Sequence, residues 1–385
     1  MDNIKTNPYI SRNYLICTVC VMDTTDPLIS FDESGQCNHC RDAGKRLLQE
    51  SKIAYQQLSN PFEKISLQRR NSKFDAIIGL SGGIDSSYVL LKAIEAGVRP
   101  LVVHVDAGWN TAESVSNIES LVNKFNLDLE TVVIDWVEMR ELQLSYLRSG
   151  LLNQDSPQDH AFFAGLYQTS RKHRINQIIS GSNLATESIL PKSWGHDAMD
   201  GLQLREVAKR FDGPKLSNFP VLRLPSFYIY DQLIRRMVVH CPLDSVPYKK
   251  NAAMSELIKA CGWKEYGGKH RESAFTSFYQ HIYLPRRFGI DKRKAHLSSL
   301  IVSGQITREL ALDELRINPI PTLEAKSLIQ FVCRKLDISP SQMENFMSLP
   351  YIDHRLIRND RSRIERLLDS AFGRTAKNVI LSRIT

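Results

Sequence analysis

Four cysteines stand close together near the amino terminus, as Cys17-Thr18-Val19-Cys20 and Cys37-Asn38-His39-Cys40, with sixteen residues between the pairs. A Cys-x-x-Cys turn presents two thiolates to one ion, and a linker of that length can fold back to join the pairs. Tetrahedral zinc at about 2.3 Å from each sulfur suits the set, and four protein ligands leave no open position. The expected role is therefore structural. Zinc would supply on the order of 10 kcal/mol to a segment too short for a core of its own. An iron–sulfur cluster and free thiols are the competing explanations of the spacing. His39 lies inside the second turn, and beside four sulfurs it is expected to be a bystander.

A second stretch carries different chemistry: Ile77-Ile78-Gly79-Leu80-Ser81-Gly82-Gly83-Ile84-Asp85-Ser86-Ser87. An apolar strand ends in Ser-Gly-Gly, and a helix is predicted to start near Asp85. Two glycines allow backbone torsions closed to other residues, so successive N–H groups can point at one centre. The helix terminus adds unpaired donors and a partial positive charge of about 0.5. Ser81, Ser86 and Ser87 offer hydroxyls, while Asp85 fits beside phosphates if it holds magnesium or acts through water. The Gly-Lys-Ser/Thr ending of nucleoside triphosphatases is missing, and so is the three-glycine dinucleotide pattern.

The run matches S-G-G-x-D-S and so resembles the ATP pyrophosphatase (PP-loop) superfamily. That resemblance implies a loop, from Leu80 to Ser87, that grips the β- and γ-phosphates as leaving pyrophosphate while the α-phosphorus is attacked. It further implies that Val105 and Asp106, in His104-Val105-Asp106-Ala107-Gly108, cradle adenosine, and that Gly181 and Ser182 face the nucleotide from another strand end. Taken alone, each of these two segments also fits an ordinary loop.

The elements that must position these groups can be read from periodicity. FDAIIGL, PLVVHVD, LETVVIDW and INQIISG are β-branched runs of strand length, and DSSYVLLKAIEAG and NTAESVSNIESLVNKFN carry apolar residues at helical spacing. Asn110 and Glu113 are the expected cap of the second helix, and Gly97 closes the first. Strand and helix alternating with short connections predict an α/β fold with a doubly wound parallel sheet. Residues 1–60 read as a zinc-ribbon-like module with a linker helix, 73–245 as the nucleotide domain, and 246–385 as a helical region for substrate or partner.

Over nearly its whole length the chain is similar to the N-acetyl sugar amidotransferases of bacterial surface-polysaccharide pathways. The likeness rests on the Cys17–Pro27 run, the Gly35–Cys40 turn, the glycine loop, Trp263–Ser273, Leu284–Ile301 and Ser303–Leu312. Ser277 departs from it, because a basic residue is usual there. The resemblance implies ATP-dependent conversion of a sugar acetamido group to an acetamidino group, with magnesium, AMP and pyrophosphate. An amide oxygen is a poor leaving group, whereas O-adenylation turns the amide into an imidate that ammonia can attack. A fused glutaminase of the N-terminal-nucleophile type needs cysteine at position 1 or 2, and the chain begins Met1-Asp2. The expected partners are therefore a separate glutaminase and a cyclase-like subunit that conducts ammonia.

In Gly268-Lys269-His270-Arg271-Glu272-Ser273, Lys269 could neutralise a phosphate, and His270 or Glu272 could take a proton from ammonia. The plain alternative is a solvated turn. Arg286, Arg287, Lys292, Arg293 and Lys294 gather around Asp291 and could hold a diphosphate or a sugar carboxylate. Lys292 and Arg293 are the catalytic candidates among them. Tyr14, Trp109 and Trp194 could stack on a base or a sugar.

Composition narrows the classes. No run reaches the ~18 apolar residues of a membrane span, and the polar start lacks a signal-peptide core, so a cytoplasmic protein is expected. Seven unevenly spread cysteines argue for metal rather than disulfides. Fifty Lys and Arg against forty-two Asp and Glu give +8, which suits phosphate-bearing ligands and leaves tRNA thiolation as the rival function. Thiolation needs paired cysteines, and Cys241, Cys261 and Cys333 form no Cys-x-x-Cys pair. Nucleic acid is therefore the less favoured partner.

Overall fold

The computed structural model describes residues 8–9, 13–56, 61–63, 65, 72–265 and 271–369. In chain order its principal elements are α1 (Asn38–Gln56), β1 (Ala76–Gly79), α2 (Ile84–Glu95), β2 (Pro100–Asp106), α3 (Ala112–Phe125) and β3 (Leu129–Val133). They continue with α4 (Trp136–Ser149), α5 (Ser156–Lys172), β4 (Gln177–Ile179), α6 (Gly201–Arg210), β5 (Val238–His240) and α7 (Lys250–Cys261). The last third is helical and includes α8 (Arg293–Val302), α9 (Arg308–Arg316) and α10 (Thr322–Leu336).

The five strands form one sheet in the order β3-β2-β1-β4-β5, and every pairing is parallel. The expected α/β class is present, with β5 added to the four strands legible as apolar runs. The central strands are buried on both faces and the edge strands β3 and β5 are not, as a sheet covered by crossover helices requires.

Side chains alternate between the two faces. Ile78 and Val102 belong to a core shared with Leu90 of α2, Leu121 of α3 and Leu257 of α7. Ile77 and Val103 belong to a second core with Leu142 of α4, Ala164 of α5 and Leu204 of α6. That second core also takes in the four cysteines and Phe275, Phe288 and Leu336 of the carboxyl-terminal region. The amino-terminal cysteine module and the carboxyl-terminal helices thus share one packed interior with the sheet, and α7 sits in the other core.

The start of α3 differs from expectation by one residue. Thr111 is the cap, its hydroxyl accepting from Ser114 N–H at 3.3 Å. Asn110 is turned back to the strand end instead, donating to Asp106 at 3.0 Å, and so is spent before the helix begins.

The strand order reverses at β1. The chain runs outward through β2 and β3 and returns on the other side of β1 as β4. Open α/β sheets bind ligands in the crevice at such a point, beyond the carboxyl ends of the strands.

Candidate active site

At the end of β1, Leu80 N–H donates to Val103 O at 2.8 Å, so the turn leaves the sheet only after this residue. The turn then folds on itself. Ser81 Oγ accepts from Gly83 N–H at 3.2 Å and meets Ser86 Oγ at 3.1 Å, and Ser86 Oγ also donates to Gly83 O at 3.1 Å. Gly82 has φ +79°, and a Cβ there would lie 2.4 Å from Ser114 O. Its carbonyl is tied down by the Trp263 indole at 3.2 Å and the Asn117 amide at 3.4 Å. The N-cap of α2 is Gly83, which supplies no side-chain cap, so the first-turn N–H groups of α2 are left for a ligand.

Asp85 stands in this first turn. Its carboxylate accepts from the Tyr248 hydroxyl and from Asn183 Nδ2 at 3.4 Å. Ser87 is fully buried, its hydroxyl has no hydrogen-bond partner among the described residues, and it lines neither the cleft nor the recess. Gly181 closes the loop from β4, where a Cβ would lie 2.8 Å from the Asp85 carbonyl carbon and the Ser86 nitrogen. Ser182 follows, its N–H donating to Ser180 Oγ at 3.1 Å. At the end of β2, Val105 faces a cleft. Asp106 shapes the turn instead, accepting from Gly108 N–H at 2.8 Å and from Asn110.

The cleft beyond these strand ends measures about 1370 Å³ and joins a smaller recess of about 360 Å³ lined by Gly83, Asp85, Ser86 and Gly181. Its far wall comes from the carboxyl-terminal region. The segment after residue 270 runs antiparallel to the loop following β2: Ala274 N–H donates to Trp109 O at 2.9 Å and Thr111 N–H to Glu272 O at 3.0 Å. This pairing sets Glu272 on the border of the large cleft and the smaller recess. Lys269 and His270 lie outside the described residues.

Three charged groups share this wall. Asp155 precedes α5, Asp159 lies one turn further on, and Lys292 precedes α8; all three line the cleft. Burial pushes Asp155 well above the carboxylate range, helped by the charge of Asp159, and pushes Asp159 up to about 6. Burial also lowers Lys292, against the pull of both acids. Gln158 holds the group in register, donating to Thr276 Oγ at 2.7 Å and accepting from Ser273 Oγ at 2.8 Å. Ser277 bonds His281 Nδ1 at 3.2 Å, and burial lowers that imidazole to about 4. Asp155 and Asp159 escaped the sequence reading. The signal present was two acids four apart behind a Ser-Pro helix start, a spacing equally common on wet helix faces.

The remaining basic residues have other partners. Arg293 pairs with Asp291 at 2.7 Å and donates to the carbonyls of Glu314 and Ile317. Arg287 is buried, bonding four backbone carbonyls. Lys294 pairs with Asp23 of the cysteine module, and Arg286 with Glu344 at 3.4 Å. The cluster legible in sequence is thus dispersed by the fold, and Lys292 alone keeps an ammonium with no ion pair within 4.0 Å among the described residues. Trp109 packs edge-on against Trp136 at 5.3 Å, Trp194 is 2% exposed behind the cleft, and Tyr14 is on the surface near Lys294.

The four cysteine sulfurs all lie within 4.8 Å of one another and are buried, and among the described residues they are the one group suited to a metal. Backbone N–H groups point at the sulfurs, from Cys37 to Cys17 at 3.2 Å and from Met22 to Cys20 at 3.4 Å. Four thiolates so gathered fit a tetrahedral ion of the zinc type. His39 is turned away, bonding Asp26 at 2.6 Å. No helix among the described residues is long and apolar enough to cross a membrane.

No curated protein matches the chain significantly. Three solved structures are similar to it at low overlap. The U34-tRNA thiolase NcsA from Methanococcus maripaludis with its 4Fe-4S cluster is 13% identical, covering 77% of this chain and 95% of its own, with TM-score 0.34. The NH3-dependent NAD synthetase from Campylobacter jejuni subsp. jejuni NCTC 11168 in complex with nitrate is 16% identical, covering 55% and 83%, with TM-score 0.27. NMN synthetase from Francisella tularensis is 14% identical, covering 60% and 98%, with TM-score 0.28. Likenesses this loose transfer no activity. Residues 272–368, about a quarter of the chain and the part that builds the far wall of the cleft, match the family model described as LPS biosynthesis protein WbpG-like, C-terminal domain. That segment is thus similar to the carboxyl-terminal domain of WbpG-like lipopolysaccharide-biosynthesis proteins.

Proposed function

We propose that this protein is an AMP-forming amidotransferase that converts an acetamido group of a sugar or sugar nucleotide to an acetamidino group. One observation carries the reading: the S-G-G-x-D-S turn reaches the cleft at Ser81, the open N-terminus of α2 lines the recess beside it, and the WbpG-like segment builds the far wall of the cleft, with Glu272 bordering both. The glycine turn and the first N–H groups of α2 would bind the β- and γ-phosphates of ATP, and Val105, Gly181 and Ser182 would flank the nucleotide. Asp85 would hold magnesium, whose charge would offset that gathering on pyrophosphate. Attack of the amide oxygen on the α-phosphorus, with release of pyrophosphate, would then yield the O-adenylyl imidate, from whose carbon ammonia displaces AMP.

Glu272, Lys269, His270, Lys292 and Arg293 are the proposed groups around the acetamido sugar. Ammonia would come from a separate glutaminase through a cyclase-like partner in the cytoplasm. The cysteine cluster would hold structural zinc. Thiolation finds less support: burial pushes the Cys241 thiol up to about 11, the opposite of an activated nucleophile, and the Cys261 thiol donates to Leu257 O at 3.2 Å.

The test mixes the chain with ATP, magnesium, ammonium and candidate di-N-acetylated sugars or their nucleotide-linked forms. Expected products are AMP, pyrophosphate and a sugar in which NH replaces one oxygen; ADP would sink the assignment. A Cys241→Ser/Cys261→Ser double variant should keep this activity, and losing it would favour sulfur transfer.

A further inference from the structure

The inference that follows rests on the amidine-forming reading and asks where the nitrogen enters. Replacing a neutral carbonyl oxygen by NH creates a group that is a cation near neutrality. Positive charge appears on the attacking nitrogen as its bond to carbon forms. A site that receives this nitrogen gains most from anions already fixed in place and from a proton acceptor within reach.

The wall opposite the glycine turn has this composition. Asp155 is 4% exposed and Asp159 lies a turn away on α5, so the two carboxylates share a helix face. Lys292 reaches over the Tyr279 ring, 5.5 Å from its centroid, and pairs with neither acid within 4.0 Å. Tyr279 supplies an independent observation. The residue is 1% exposed and its buried hydroxyl has no hydrogen-bond partner among the described residues, yet the charges of Asp155 and Asp159 act on it. A buried phenol left without a partner costs free energy, and this one lies in the widened turn Tyr279–Tyr283, a π-helical insertion of the kind found at functional sites. Two carboxyl groups and one ammonium therefore line the cleft, and the phenol lies buried against them beneath Lys292.

We propose that Asp155 and Asp159 form the receiving site for ammonia, with Tyr279 and Lys292 completing its shell. The nitrogen lone pair makes the C–N bond to the N-protonated imidate, and one of its protons passes to a carboxylate oxygen of Asp159. The C–O bond to the adenylate breaks with its electron pair on the AMP oxygen, and the amidinium is left in the cleft beside the two acids. The charged and titratable groups facing Asp159 are Lys292, Asp155 and Tyr279, with Glu272 beyond Asp155.

Two readouts on the full chain separate this site from the reading beneath it. Sugar-dependent exchange of labelled pyrophosphate into ATP reports adenylation without ammonium. Amidine formation with ammonium chloride reports the complete reaction. For Asp159→Asn, and for Asp155→Asn, the ratio of amidine formation to exchange should fall on the order of a hundredfold, with partial recovery in Asp159→Glu. Exchange itself shows that each variant has folded. An unchanged ratio, or equal loss of both readouts, overturns the receiving site while the amidine reading stands. Absence of exchange in the wild-type chain with every acetamido sugar tried overturns that reading, and the receiving site with it.

Discussion

Asp159 carries a conflict between stability and chemistry. Its carboxyl is raised from 3.8 to about 6 by burial, even with Lys292 attracting its charge. A group whose folded pKa is raised stabilises the fold below its unfolded pKa, and that contribution is lost as pH rises through the folded value. Stability should therefore decline between about pH 4 and pH 6 from this group. Asp159→Asn removes the buried charge, so at pH 7.5 it should unfold later than wild type by on the order of 1–3 kcal/mol, and at pH 4 by nothing measurable. Urea midpoints at the two pH values check this. Asp85 behaves differently, since the Tyr248 hydroxyl and Asn183 already hold its carboxylate at the mouth of α2. Asp85→Ala should abolish sugar-dependent AMP formation and leave the metal content of the chain unchanged, as elemental analysis would show; retained AMP formation removes Asp85 from the site.

Among the elements, the β1–α2 turn depends on two glycines for different reasons. Gly82 needs its left-handed φ, and any Cβ there would strike the carbonyl of Ser114 in α3. Gly82→Ala is expected to cost at least about 2 kcal/mol by denaturant titration. Gly181 has an ordinary backbone but lies against the first turn of α2. Gly181→Ala should push that turn away from the strand end, raising the KM for ATP at least tenfold with a smaller loss of stability. Equal damage to both quantities would show that Gly181 serves only packing. S-G-G-x-D-S identified the turn in sequence because torsion and donor geometry are local. The contribution of Gly181 came from a strand about a hundred residues away, and only packing reveals it.

At the scale of the molecule, the metal module is fastened to the wall of the cleft. Arg308 of α9 donates to the carbonyls of Cys17 and Cys20, Ser298 of α8 accepts from Val21 N–H, and Lys294 of α8 pairs with Asp23. Lys292 stands at the head of α8, so its position is set partly by the cysteine module held to α8 and α9. Removing the metal with a chelator is expected to lower both thermal stability and amidine formation, while Arg308→Ala should lower the second with metal still bound. Full activity in the metal-free chain would reduce the module to a separate appendage.

The local patterns of the sequence determined the four-cysteine cluster, the glycine turn, four of the five strands and the α/β class. Each depends on spacings of a few residues, where torsion, ligand reach and periodicity are fixed by covalent geometry. Position in space was another matter. The chain from 286 to 294 reads as one basic patch, yet the fold sends Arg287 into the interior and Lys294 to Asp23, while Arg293 lines the cleft paired with Asp291 and Lys292 lines it with no ion pair among the described residues. Asp155 and Asp159 carry no motif, and they acquire meaning because α5, α8 and the helical turn at Tyr279 converge on them. Charge in a sequence is only a count. Burial and partners decide which charges act, and both are properties of the tertiary structure.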